Sequence, residues 1–150
     1  MITWSPMPYR HRQHGFSLIE VLIAVVVLAV GLLGLAALQS VSLKMQQSSI
    51  LRTQATALAT GITDAIRANK NNAVDYDGTF STTCEPKLKY DWTSGVAAGD
   101  LSIWENRIAC LLPSGTGEVE VSGSTVTVTV TWNEDRLGDS TQSFSTTTEI

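Results

Sequence analysis

From Val21 to Leu38 the chain carries no charged or strongly polar side chain, only Val, Leu, Ile, Ala and two glycines. Eighteen such residues at about 1.5 Å each give roughly 27 Å of helix, close to the ~30 Å hydrocarbon thickness of a bilayer. The pattern then turns amphipathic. Leu38, Val41, Met45, Leu51, Ala55, Leu58, Ile62 and Ala65/Ile66 recur every three or four residues, with a weak spot at Ser48. No proline interrupts 16–69, so one helix of about 54 residues, roughly 80 Å, is predicted. It is expected to end near Ala68–Asn69, where Asn69, Asn71, Asn72, Asp75, Asp77 and Gly78 are turn formers.

Past the helix, residues 70–117 show little periodicity. A short helix over Asp100–Ile108, started by Asp100 or Ser102, is the one element expected there. Tyr90, Trp92, Leu101, Ile103, Trp104 and Ile108 lie in this region, and its aromatics are expected to be core side chains rather than a binding site. Residues 118–150 are the β region. Glu118–Ser122 alternates, Gly123-Ser124 offers a turn, and Thr125–Trp132 alternates for eight residues. Val126, Val128, Val130 and Trp132 share one face of that strand and the threonines the other, as in a half-buried antiparallel sheet. After a loop at 133–139, Gln142–Ile150 is a third strand. The expected fold is α+β, a long N-terminal helix with an apolar first third, packed on a small antiparallel sheet of three to four strands.

Charge gives the helix a direction. Arg10 and Arg12 precede the apolar run, and no acidic residue occurs before Glu20. This places the N-terminus in the cytoplasm and sends the rest across the membrane. Glu20 itself is anomalous, because a carboxylate costs on the order of 2.5–3.5 kcal/mol at the bilayer centre and less near the interface. The topology puts Cys84 and Cys110 in an oxidising compartment, where two cysteines in a small domain are expected to pair; free buried thiols are the alternative. A bond between them would enclose 25 residues and contribute about 3–4 kcal/mol in the loop-entropy treatment.

Gly15-Phe16-Ser17-Leu18-Ile19-Glu20-Val21-Leu22-Ile23-Ala24 resembles the class III signal of type IV pilins and of the pseudopilins of type II secretion. The longer run Val27–Gln39 is most similar to minor pilins of the type IV pilus modification (PilV) group. The resemblance spans residues 15–39 and implies cleavage after Gly15 by a prepilin peptidase, N-methylation of Phe16, and a role for Glu20 in docking the subunit into a filament. Many main pilins carry a helix-breaking proline farther along, which is missing here. An ordinary secretory signal has an apolar segment of about 7–15 residues closed by a small-x-small site. A generic anchor does not account for the residues before the run.

Removing residues 1–15 as a leader leaves eight Lys+Arg of the original ten, against fourteen Asp+Glu, a formal charge of −6. His11 and His14 leave with it, and with them the commonest general base and metal ligand. Gly-x-Ser-x-Gly, Walker, Gly-x-Gly-x-x-Gly and Cys-x-x-Cys patterns are missing. Glu118 and Glu120 read as the solvated face of a strand. Asn133, Glu134, Asp135 and Asp139 have oxygen ligands but not EF-hand spacing, and Arg136 sits among them, so a solvated turn is favoured over calcium. Gly31 and Gly34 fit close helix packing, a bend, or simple tolerance.

The reading is a non-enzymatic subunit without cofactor or metal. Its parts are a leader (1–15), a transmembrane or filament-core helix (16–38), its amphipathic continuation (39–69), an irregular αβ region with the disulfide (70–117) and the sheet (118–150). The resemblance implies a minor pilin of the type IV pilus, with pilus-based adhesion or motility. It would sit singly across the inner membrane with a periplasmic C-terminal domain, then on the cell-surface fimbrium. Its partners would be other major and minor pilins, prepilin peptidase, the inner-membrane assembly machinery and membrane lipid. Alternatives are a pseudopilin of type II secretion and a DNA-binding pilin. Nucleic acid is not an expected partner, because the acidic mature chain offers phosphate little attraction.

Overall fold

The computed structural model describes residues 15–88, 92–134 and 140–150. Contacts divide the chain into two units, up to Leu43 and from Lys44 onwards. Helix α1 runs Leu18–Ala68 and contributes to both. In the first unit every described side chain is exposed, so the apolar residues of this stretch have no cover from their own chain.

The second unit is built around a four-stranded antiparallel meander in the order β1-β2-β3-β4. Its strands are β1 (Gly78–Phe80), β2 (Thr116–Ser122), β3 (Thr125–Asn133) and β4 (Thr141–Glu149). The alternation of β3 dictates its packing, with Val126, Val128, Val130 and Trp132 buried and the threonines half-exposed. On α1 the buried residues are Leu51, Ala55, Leu58, Ala59, Ile62, Thr63 and Ile66, the three-and-four spacing of one helix face. The expected apolar stripe therefore divides. Its C-terminal part lies in the core, whereas Leu38, Val41 and Met45 are exposed. Ser48, the weak spot, donates its hydroxyl proton to the Glu134 carboxylate at the end of β3.

Helix α2 spans Val96–Leu111, longer than expected at both ends. Gly95, not Asp100 or Ser102, stands at its N-cap, without a side-chain capping bond. Both expected caps have other work, since Asp100 accepts from the Tyr76 hydroxyl (2.7 Å) and Ser102 donates to the Gly99 carbonyl. Trp104 on α2 is buried, packs edge-on against Phe80 with centroids 5.9 Å apart, and donates its indole N–H to the Leu58 carbonyl of α1 (3.0 Å). Gly117 on β2 admits that ring, since a Cβ there would lie 2.4 Å from it. Gly123 turns β2 into β3 with φ +62, the left-handed region that glycine enters freely.

Two further expectations are corrected. The sheet is not confined to residues 118–150, because β1, ahead of Cys84, is one of its strands. Trp92 is not a core residue, since it is 52% exposed although its ring lies against Gly99. Tyr90 lies outside the described residues.

Between α1 and β1 a 3₁₀ segment, Lys70–Tyr76, buries Tyr76 completely. Burial, reinforced by the hydrogen bond to Asp100, pushes the phenol from 10.0 up to about 12. Folding thus favours the protonated phenol. Its contribution is complete below pH 10 and is lost as pH rises towards 12. Denaturant titrations between pH 9 and 12 are expected to show that fall, and Tyr76→Phe is expected to flatten it.

Candidate functional site: the N-terminal helix start and the disulfide strap

Helix α1 begins at Leu18, and the Ser17 carbonyl accepts the first intrahelical bonds, from the N–H groups of Glu20 (3.1 Å) and Val21 (3.3 Å). Glu20 is the acidic residue of the first turn, where the helix dipole favours a carboxylate by about 0.3–1 kcal/mol. Phe16, Glu20, Ala24 and Leu28, spaced four apart, line one shallow depression with Val21 and Val25. Phe16 is 83% exposed. Phe16, two residues before the helix, thus lies in the same depression as the Glu20 side chain.

Below this start the helix has a window of mean hydropathy 3.0 with none of it buried, long and apolar enough to cross a membrane. Gly31 and Gly34 lie within it, and a Cβ at either would meet nothing within 4 Å. The geometry provides a carboxylate and an exposed aromatic at the end of an uncovered apolar rod.

The second feature is the strap after β1. Cys84 and Cys110 form a disulfide with Cα atoms 4.6 Å apart, and both residues are exposed. Asn106, one turn before Cys110 on α2, reinforces it. Its side-chain oxygen accepts from the Glu85 N–H (2.8 Å) and its amide donates to the Glu85 carbonyl (3.1 Å). Sequence reasoning found the cysteines but not Asn106, which no spacing rule singles out. The bond lies outside the buried core, so its loss should loosen the strap and lower stability without rearranging the sheet. The Cys84→Ser/Cys110→Ser double variant is expected to lose about 3–4 kcal/mol in denaturant titrations while keeping its β-sheet circular dichroism.

Glu118 and Glu120 are both exposed on the outer face of β2. At the 133–139 loop, Asn133 accepts from the Thr141 hydroxyl (3.2 Å) and Glu134 from Ser48, while Asp135, Arg136 and Asp139 lie outside the described residues. Among the described residues no group of three His, Cys, Asp or Glu is placed to hold a metal ion.

Residues 10–36 match the family model of the prokaryotic N-terminal methylation motif. No curated protein and no solved structure matches the chain. The motif supports a type IV pilin-like protein of pilus or pseudopilus type, and indicates a structural subunit rather than an enzyme. It implies prepilin peptidase processing and assembly with other pilins. With the apolar helix, it supports membrane anchoring.

Proposed function

We propose that this chain is a minor pilin, most similar to the type IV pilus modification (PilV) group, which primes or joins a type IV pilus. The observation that carries the reading is the methylation motif over residues 10–36, with Glu20 in the first turn of an uncovered apolar helix. Residues 1–15 are the leader, cut after Gly15, and Phe16 becomes the N-methylated N-terminus. Stretch 16–38 holds the chain in the inner membrane and later in the filament core. Stretch 39–69 leads into the periplasmic domain, which is tied by Cys84–Cys110 and exposed on the pilus after assembly. In the described helix no proline interrupts 18–68, which favours a minor over a main subunit.

Glu20 acts through charge. The amine on Phe16, of the same chain or a neighbour, pairs with it and offsets the cost of holding a carboxylate in apolar surroundings. A pair made between subunits sets the register of one helix against the next. The test is immunodetection of the chain in sheared, purified pili. Recovery in small amounts that vanish when the main pilin is deleted supports the reading. Recovery only with a secretion apparatus would make it a pseudopilin.

A further inference from the structure

β4 is the last strand of the sheet, and among the described residues nothing pairs with its far side. The ladder identifies which backbone groups face that open edge. Just beyond its two ends, the Glu134 N–H donates to the Ser140 carbonyl (3.0 Å) and the Ile150 N–H to the Ser124 carbonyl (2.9 Å). Alternate residues of an antiparallel ladder turn their backbone groups to the same partner. Gln142, Phe144, Thr146 and Thr148 therefore bond to β3, and Thr141, Ser143, Ser145, Thr147 and Glu149 point their N–H and C=O groups outward. The side chains of these five are exposed as well. Edge strands are normally blunted by proline, lysine, a bulge or brevity. β4 has nine residues, regular pairing throughout, no proline and no lysine.

We infer that the open edge of β4 is a docking site for an extended strand of another protein, added antiparallel to the sheet. The side chains specify its chemistry. On the outer face, Thr127 meets Thr147 (3.1 Å) and Thr129 meets Ser145 (3.0 Å), hydroxyl to hydroxyl. A hydroxyl-bearing strand would repeat that row. On the inner face two guanidiniums reach β4, Arg52 to Gln142 (3.2 Å) and Arg67 to Thr148 (2.5 Å). Arg67 is already paired with Asp64 (3.3 Å), whereas Arg52 has no acidic partner among the described residues. The incoming strand therefore carries Ser or Thr outward and an acidic residue inward, opposite Arg52. A second copy suits the edge less well. Pairing β4 with β4 across a two-fold axis normal to the sheet would reverse the α1 segment lying on it, while membrane-anchored copies run the same way.

The probe is a capped synthetic peptide, Thr-Glu-Thr-Val-Thr-Val-Thr-Glu-Thr, added to the full chain in detergent micelles, with amide hydrogen exchange as the readout. The expected result is that the amides of Thr141, Ser143, Ser145, Thr147 and Glu149 slow by about tenfold or more, while those facing β3 do not change. A peptide with Lys for the eighth-position Glu, the one set opposite Gln142, is expected to bind about tenfold more weakly, a difference that Arg52→Ala abolishes. Ser145→Pro removes an outward N–H at an edge position that tolerates proline. It is expected to keep the fold and lose the peptide. Unchanged binding by that variant would overturn the proposal. So would outward amides already slow in dilute, peptide-free protein, or slowed by raising protein concentration alone, since then the chain itself or a second copy fills the edge.

Discussion

Glu20→Ala is expected to be processed like the wild type and to be nearly missing from purified pili. The substitution leaves Gly15 and Phe16 untouched, and alanine is the best helix former, so cleavage and α1 should persist. What is lost is the carboxylate that faces a cationic N-terminus one turn away. Breaking a poorly solvated charge pair costs about 3–5 kcal/mol, which would cut incorporation to well below about a tenth of wild type. Glu20→Gln should behave alike, because the amide keeps the shape but not the charge. Immunoblots of sheared pili and of membranes from the same cells measure it. Wild-type incorporation of the alanine variant would leave the carboxylate merely solvated at the headgroups.

Trp104→Ala is expected to be the most damaging single truncation in the folded domain, at about 3–5 kcal/mol. Three elements meet at this ring. It packs edge-on against Phe80 of β1, fills the space that Gly117 of β2 leaves open, and anchors α2 to α1 through the Leu58 carbonyl. Removing it creates a cavity that glycine cannot collapse into, and deletes a buried hydrogen bond. Denaturant titration of the detergent-solubilised chain should show the midpoint falling sharply. A loss under about 1 kcal/mol would mean that α2 contributes little to the core.

The parts of the fold legible in the sequence are those with a long, uniform period. The Thr-Val alternation of β3 and the apolar run of α1 repeat often enough that one physical environment explains each. β1 has three residues, too few to show any period. The start of α2 was hidden because Ala97 and Gly99 are the small residues it buries, and because Asp100, a natural cap, instead accepts from Tyr76. Periodicity also cannot say what covers a stripe. Leu38, Val41 and Met45 continue the pattern of Leu51 and Ala55 but are left uncovered by the chain itself. The methylation motif was readable because its residues are contiguous. Asn106 and the open groups of β4 were not, since both depend on what folding brings beside them.

The most direct measurement is the intact mass and N-terminal sequence of the membrane-extracted chain, from cells with and without active prepilin peptidase. The expected result is a peptidase-dependent chain beginning at N-methylated Phe16, with Glu20 one turn from its new amine. A chain that keeps residues 1–15 in both cells would contradict it. The protein would then be an ordinary membrane anchor, and Glu20 would have no amine to pair with.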